Sequence, residues 1–210
     1  MTLKLSVIIP VLNQIKYLPS VLDSLIPQVS VTEGVEIVVV DNGSNDGSKE
    51  IIKSYTGIRL LEEPERGAYS ARNHGIINSS GELVAFLDPD CVPSRAWLTT
   101  AITTLANPDI EMALGPRLSS SSGAISLLQS YENAKIMWIL KQKIPANVYA
   151  YTNNMVVRRS LFLRFGLFQH QARGSDTLFA QMVAHAYGVQ SIRYAPEMCV
   201  THLELQNIGN

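Results

Sequence analysis

The chain has 210 residues, 46% of them hydrophobic, which is enough for one well-buried core, so we expect a single domain over residues 1–210. Its 17 basic and 18 acidic residues give a formal net charge of −1. This balance provides no excess of basic residues that would indicate nucleic-acid binding, and no overall attraction to anionic lipid. No apolar run approaches the roughly 20 residues needed for a transmembrane segment, and the N-terminus enters a predicted strand without a signal-peptide layout, so we expect a cytoplasmic protein.

Strands and helices alternate along the first half of the chain. Apolar and β-branched runs predict four strands, at residues 5–10, 35–40, 58–61 and 83–87. Helices are predicted between them, at about residues 15–25, from about Ser48, and at 68–79. The fourth strand is uncharged and reads as buried on both faces. This alternation implies crossover connections and a mostly parallel central sheet flanked by helices, which is an α/β fold.

The second half predicts further helices and strands around one long helix. A helix is predicted after Pro93, a strand at 112–116, a serine-rich loop at 117–123, a helix at 176–186, and short closing segments at 191–195 and 199–202. The long helix is predicted at 124–142. Its apolar residues expected to pack on the sheet are Ile125, Leu128, Tyr131, Ile136, Ile139 and Leu140. Met137 and Trp138 widen the apolar stripe, so contact with a partner or a membrane surface is the alternative.

Carboxylates follow two of the predicted strands at the point where each strand ends. Asp88 and Asp90 come directly after the buried strand, and Asp41 ends the second strand. Open α/β sheets bind ligands at the carboxyl edge of their strands, and carboxylate oxygens are ligands for hard divalent cations. The alternative is that Asp88 and Asp90 only shape a turn before Pro93.

Four spaced motifs resemble those of family 2 glycosyltransferases. They are VIIPVLN at residues 7–13, VVDNGSND at 39–46, GAYSARNHGI at 67–76 and FLDPDCVP at 86–93. The resemblance spans most of the chain. It implies a GT-A fold with a nucleotide-binding half at 1–93 and an acceptor-side half at 94–210. It also implies inverting transfer of a sugar from a UDP- or GDP-type donor to a hydroxyl acceptor, assisted by Mg²⁺ or Mn²⁺.

The resemblance assigns substrate-binding roles on the donor side. The residues are Pro10, Val11, Asn13, Asp41, Gly67, Arg72 and Asp88. Asp41 is expected to accept hydrogen bonds from a pyrimidine N–H or a ribose hydroxyl, with an Asx turn as the alternative. Arg72 is expected to pair with a carboxylate such as Asp41, or to contact the base or phosphate, with a solvated helix arginine as the alternative. Asp88 is expected to bind ribose.

Metal-binding and catalytic roles are also implied. Asp90 and His202 are expected to hold the divalent ion, which neutralises the diphosphate leaving group. A zinc site that adds Cys91 and Cys199 is disfavoured, because neither cysteine has Cys-x-x-Cys spacing and both are typical of reduced core residues. Asp176, in the first turn of a predicted helix, is expected to be the general base, with a helix cap as the alternative.

Asn153 and Asn154 are expected to bind sugar hydroxyls on the acceptor side, or else to cap a turn. The sequence also departs from the family pattern: Asp41-Asn42 replaces a commoner Asp-Asp, residues 174–176 replace a Glu-Asp pair, and the chain stops soon after His202. A catalytically silent sugar-nucleotide-binding or scaffold protein is therefore the alternative function. A nucleotidyltransferase is disfavoured, because residues 10–14 lack a glycine-rich basic phosphate loop.

Overall fold

The computed structural model describes residues 5–119, 124–170 and 173–203 of the chain. Its strands are β1 (Leu5–Val11), β2 (Val35–Asp41), β3 (Ile58–Glu62), β4 (Leu83–Leu87), β5 (Cys91–Pro93), β6 (Met112–Leu114), β7 (Arg117–Ser119), β8 (Asn154–Arg158), β9 (Ile192–Tyr194) and β10 (Val200–His202). Its α-helices are α1 (Leu18–Ser30), α2 (Ser48–Ser54), α3 (Ala68–Ile77), α4 (Trp97–Ala106), α5 (Ala124–Gln142), α6 (Ser160–Phe165) and α7 (Ser175–Tyr187).

The larger sheet has the strand order β3-β2-β1-β4-β8-β6-β9. β1, β2, β3 and β4 run parallel to one another, whereas β8 runs antiparallel to both β4 and β6. This arrangement confirms the predicted mostly parallel sheet, with one reversed strand near its centre. The first four strands therefore end along one edge, where the sequence places its carboxylates.

Both faces of the larger sheet are covered by apolar cores, because alternate residues of each strand point to opposite faces. Val7 and Ile9 of β1 belong to a core that includes residues of α1 and α4, whereas Ile8 belongs to a core that includes residues of α3 and α7. Helix α3 lies unusually close to β1, because a Cβ at Gly75 would lie 2.6 Å from the Ile8 side chain. This close packing sets the position of α3 beside the carboxyl ends of β1 and β2.

A second, three-stranded sheet has the order β5-β10-β7. β10 pairs antiparallel with β5, with His202 opposite Cys91, and parallel with β7. The predicted loop at 117–123 was wrong for its first three residues, which form β7, and the remaining four lie outside the described residues. The small sheet brings the late segment around residue 202 to the end of β4.

Helix α5 has the bounds predicted for it, but the described residues pack against only one of its faces. Ile136 and Ile139 are buried, as predicted, whereas Leu128 and Tyr131 are each 60% exposed, so the prediction that they pack on the sheet was wrong. The helix packs against β7 and β9, which cover only its inward side. Within the described residues, no helix combines the length and hydropathy that a membrane crossing requires.

Candidate functional site

A cleft of about 390 Å³ opens at the carboxyl edge of the parallel strands, beside the N-terminus of α3. Six of the predicted site residues line it: Pro10, Val11, Gly67, Arg72, Asp88 and Asp90. The first two end β1, the last two follow β4, and Gly67 and Arg72 come from the start of α3. Three stretches far apart in sequence therefore meet in one cavity, as expected for a ligand site of an open α/β sheet.

Arg72 is held in this cleft by an ion pair with Asp88, at 2.5 Å between Nη2 and Oδ1. Arg72 thus pairs with a carboxylate, as expected, but the partner is Asp88 and not Asp41, which accepts hydrogen bonds within its own turn. Arg72 is buried, and its Nε makes no hydrogen bond to any residue that the structure describes. A buried guanidinium donor without a partner is costly. Arg72 nevertheless lines the cleft, so its side chain can contact a ligand there.

Asp41 is 1% exposed and organises the turn that follows β2. Its carboxylate accepts hydrogen bonds from the backbone N–H groups of Gly43 and Ser44, and Lys49 Nζ lies 3.9 Å from Oδ2. These are the contacts of an Asx turn, the alternative considered for this residue. A direct contact with the base or ribose stays a prediction.

Asn42, which stands where the family pattern more commonly has aspartate, holds the neighbouring wall of the cleft. Its Nδ2 donates to the carbonyl oxygens of Glu63 and Glu65, at 2.8 and 2.7 Å, and its Oδ1 accepts from the Gly67 N–H at 2.9 Å. The side chain thereby ties the end of β2 to the segment entering α3. An ionised aspartate has no donor for the two carbonyls, which gives a physical reason for asparagine at this position.

Asn13 braces the cleft from outside and is not part of its lining. Its backbone is left-handed, with φ of 55°, and its Oδ1 accepts the Asn45 N–H at 2.9 Å. The next two backbone N–H groups, of Gln14 and Ile15, donate to the side chains of Ser48 and Asp46. Because these donors bond to the neighbouring loop, the helix predicted from residue 15 begins at Leu18.

Asp90, Cys91 and His202 form a cluster whose potential ligand atoms all lie within 4.8 Å of one another. His202 Nε2 is 3.5 Å from Asp90 Oδ2, and the Leu203 N–H donates to the Asp90 carbonyl at 2.8 Å. Burial, followed by the nearby charges of Asp88 and Asp90, raises the pKa of the Cys91 thiol well above its usual value. The thiol also lies 3.6 Å from Asp90 Oδ1, to which it donates a weak hydrogen bond.

The carboxylate of Asp90 and the imidazole of His202 fit a divalent ion that completes its shell with ligand oxygens and water. Among the described residues, Cys199 does not belong to this cluster. The two-cysteine zinc alternative consequently lacks one of its four ligands.

Asp176 is buried in the first turn of α7, after Gly174 with φ of 86°. Its Oδ1 accepts the Tyr69 hydroxyl at 2.9 Å, and its Oδ2 accepts the Thr152 N–H at 3.1 Å. Burial, and then the charge of Asp176, raises the pKa of Tyr69. Besides a bond from the Thr177 N–H within its own helix, the carboxylate thus joins α7 to α3 and to the segment before β8. It does more than cap a helix, and its role as general base stays a prediction.

Tyr69 was missed as a site residue, although it lies inside one of the four motifs. Its hydroxyl contacts Asp176, and its ring lies 5.6 Å from the Arg72 guanidinium carbon. Arg72 in turn pairs with Asp88. A continuous chain of contacts therefore runs from the cleft to Asp176. No sequence signal separates Tyr69 from a core aromatic.

The two predicted acceptor-side asparagines meet in one small cavity. Asn153 and Asn154 both line this cavity, which has a volume of about 20 Å³ and lies between β8 and α5. Asn154 Oδ1 accepts the Trp97 indole N–H at 2.8 Å, while its Nδ2 donates to the carbonyls of Pro116 and Met198. These bonds give Asn154 a packing role, and the contact of either asparagine with a sugar stays a prediction.

Gln129 of α5 also lines this small cavity and was not expected there. It is buried, and neither of its amide atoms hydrogen-bonds to another residue in the described part of the chain. Glu132 and Tyr151 lie beside it in the cavity wall. A glutamine in a long helix normally faces solvent, so the sequence gives no signal for this placement.

Comparisons with known proteins identify relatives of this chain. The sequence model described as "Glycosyl transferase family 2" matches residues 6–170. Glycosyltransferase AglE of Haloferax volcanii is 32% identical over 187 residues, which cover 86% of this chain and 61% of that protein. The chain thus spans less than two thirds of the length of this relative.

Solved structures show the same fold at low sequence identity. The mannosyltransferase PcManGT from Pyrobaculum calidifontis, in complex with GDP-Man and Mn²⁺, has a TM-score of 0.73 and 23% identity, covering 95% of this chain and 56% of that one. Staphylococcus aureus TarS 1–349, in complex with UDP-GlcNAc, has a TM-score of 0.71 and 20% identity, covering 94% and 58%. At these identities the likeness concerns the fold alone.

Proposed function

The chain belongs to glycosyl transferase family 2 and has the GT-A fold, and from this premise we propose that it transfers a sugar from a nucleotide-diphosphate donor to a hydroxyl acceptor with inversion. The observation that carries the proposal is the cleft at the carboxyl edge of the sheet, where Arg72, Asp88 and Asp90 meet beside His202. The cleft combines the cationic side chain of Arg72, whose Nε has no hydrogen bond to the described residues, with Asp90 and His202, a pair of side chains suited to bind a hard divalent metal ion. These are the groups that a sugar nucleotide requires.

Arg72 and Asp88 bind the donor in this scheme. The ion pair holds the guanidinium in place beside the cleft, where its charge attracts a phosphate or ribose oxygen. Asp88 is partly exposed and presents its carboxylate to ribose hydroxyls. Pro10, Val11 and Gly67 form a wall without charges, against which the nucleoside lies. The solved relatives hold GDP-Man and UDP-GlcNAc, so both base types are donor candidates.

Asp90 and His202 would hold the divalent ion, Mg²⁺ or Mn²⁺. When bound, the ion neutralises negative charge that develops on the departing diphosphate. The register of β10 against β5 places the imidazole beside the carboxylate, so the ligand pair depends on the small sheet. The PcManGT structure contains Mn²⁺.

Asp176 is the proposed general base. Hydrogen bonds from the Tyr69 hydroxyl and the Thr152 N–H hold its carboxylate in one orientation. It takes the proton of the acceptor hydroxyl while that oxygen attacks the anomeric carbon from the face opposite the diphosphate. A new carbon–oxygen bond forms as the bond to the diphosphate oxygen breaks. Asn153 lies next to Thr152, on the acceptor side.

A catalytically silent sugar-nucleotide-binding protein is the second candidate. The observation favouring it is that both oxygens of Asp176 already accept hydrogen bonds within the protein. A carboxylate has further lone pairs, so these bonds position the group without blocking it. The two candidates share the donor cleft and differ only in turnover.

A nucleotide-release assay with a panel of UDP- and GDP-sugars and a mixture of simple hydroxyl acceptors separates them. We expect release of UDP or GDP from at least one donor in the presence of Mn²⁺ or Mg²⁺, and its loss in Asp90→Asn. Asp109→Asn, which changes an exposed carboxylate outside the cleft, is the matched control and should keep wild-type release. Donor binding without any release, by transfer or by hydrolysis, would favour the silent protein.

A further inference from the structure

The outward face of α5 carries an apolar stripe that the described part of the protein does not cover. Leu127, Tyr131 and Trp138 recur at helical spacing and are 72%, 60% and 59% exposed. On the opposite side of the same helix, Ile136 and Ile139 are buried in the protein. A helix that is apolar on both sides is expected to be covered on both.

The charges around this stripe are one-sided. Glu132 is the only acidic residue of α5, and its carboxylate turns toward the protein, where it accepts hydrogen bonds from the hydroxyls of Tyr149 and Tyr151. Lys135, Lys141 and Lys143 lie on the helix or directly after it. Within α5 and the residue that follows it, the outward charges beside the stripe are therefore cationic, although the whole chain has a formal net charge of −1.

We propose that the outward face of α5 docks on an anionic lipid surface. Tryptophan and tyrosine favour the boundary between headgroups and acyl chains, leucine enters it, and lysines beside them attract anionic headgroups. Docking of a second copy through the same face would bring the like charges of Lys135, Lys141 and Lys143 together. Charge complementarity therefore selects the lipid surface over self-association.

The same helix connects this surface to the acceptor side of the site. Gln129 and Ile136 line the small cavity beside Asn153, on the side of α5 that faces the protein. A docked α5 would hold that cavity close to the membrane, so the acceptor is an amphiphile that carries a hydroxyl group. This consequence for the acceptor rests on the proposed transferase function, whereas docking itself does not.

Vesicle binding by the unmodified chain tests the proposal without any sugar donor. The chain has two tryptophans, and Trp97 is fully buried, so a change in tryptophan emission reports on Trp138. With phosphatidylcholine vesicles that contain phosphatidylglycerol, we expect co-flotation and a blue shift of the emission, both weakened by salt. Vesicles of phosphatidylcholine alone should bind far more weakly.

Three variants sharpen the test. Trp138→Glu should lower the partition coefficient at least about tenfold, because it removes a large apolar group and adds a negative charge. Lys141→Gln should lower it about fivefold, the effect of one cation near the surface. Leu163→Glu is the matched control, since Leu163 is an 85% exposed leucine on α6, and it should bind as wild type does. Circular dichroism melts check that each variant is folded.

Three outcomes would overturn the proposal. They are absence of binding to anionic vesicles at low salt, equal loss of binding in Trp138→Glu and Leu163→Glu, and a concentration-dependent dimer that Trp138→Glu dissolves. Nucleotide release measured without vesicles is independent of these three outcomes. Its absence would count against the transferase and leave the docking result unchanged.

Discussion

The donor side and the acceptor side of the molecule differ in how neighbouring segments of the chain brace them. On the donor side, Asp41 and Asn42 hold the walls of the cleft through five hydrogen bonds with neighbouring backbone, although the buried Arg72 Nε has no hydrogen bond to the described residues. On the acceptor side, Gln129 is buried without hydrogen bonds to the described residues, and those residues leave the outward face of α5 uncovered. The donor cleft is therefore built by its own loops, whereas the acceptor side rests on a helix that the described residues cover on one side.

Asp176→Asn probes the contact chain that joins the two sides and should have the largest effect. If Asp176 is the base, turnover falls by on the order of 10² to 10⁴, with donor affinity nearly unchanged. The amide oxygen can still accept the Thr152 N–H while the amide nitrogen donates to the Tyr69 hydroxyl, so stability should fall by no more than about 1 kcal/mol. Steady-state kinetics and thermal melts measure the two effects separately. Turnover above about a tenth of wild type would remove the assignment.

Asp41→Asn separates turn formation from donor binding on the donor side. The amide oxygen still accepts the Gly43 and Ser44 N–H groups, so the turn is kept while the charge is lost. If Asp41 also contacts the base or ribose, affinity for the free nucleoside monophosphate should fall by about 1.5–3 kcal/mol without any metal. Titration calorimetry gives this number. Unchanged affinity would leave Asp41 as a turn residue.

Asn42→Asp tests whether asparagine is required at the wall of the cleft, although the family pattern has a commoner aspartate there. The substitution removes both hydrogen bonds to the carbonyls of Glu63 and Glu65, so the free energy of unfolding should fall by about 1–3 kcal/mol. Urea denaturation measures it. The control is Asn45→Asp, an exposed position in the same loop, which should stay within about 0.5 kcal/mol of wild type. Equal stability of the two variants would contradict this role.

Tyr69→Phe has the smallest expected effect and tests the link to Asp176 through pH. The pKa of Tyr69 is raised in the folded protein, so above the unfolded value of about 10 the folded state keeps a proton that the unfolded state releases. Its contribution to stability is complete below that pH and is lost as the pH rises through the folded pKa. Melting curves above that pH should therefore decline less steeply for Tyr69→Phe than for wild type. Parallel curves would show that Tyr69 is not linked to this loss.

The features that short-range patterns determine could be predicted from the sequence. The apolar run of β4 and the carboxylates after it follow from burial on both faces and from where parallel strands end. The helix at 124–142 follows from its period, but which of its two apolar faces meets the protein depends on β7 and β9, which pack on one side. Periodicity alone does not choose between them.

Long-range contacts account for what the sequence did not predict. His202 and Asp90 were joined only through the family resemblance, and the structure brings them together by the pairing of β10 with β5, which joins segments more than a hundred residues apart. The partner of Arg72 is Asp88 because α3 packs closely on β1 at Gly75. Tyr69 and Gln129 gain their roles only from elements that fold against them. The four motifs carry the family resemblance, whereas these contacts depend on how segments distant in sequence pack together in the folded chain.

Titration calorimetry of UDP- and GDP-sugars, with and without Mn²⁺, tests most directly whether the cleft is a metal-assisted donor site. For at least one donor, we expect Mn²⁺ to raise the affinity of the wild-type chain, and Asp90→Asn to remove this increase while leaving the metal-free affinity and the melting temperature close to wild type. Binding that Mn²⁺ does not strengthen, or an Asp90→Asn variant that responds to Mn²⁺ as wild type does, would contradict the assignment of Asp90 and His202 as the metal ligands.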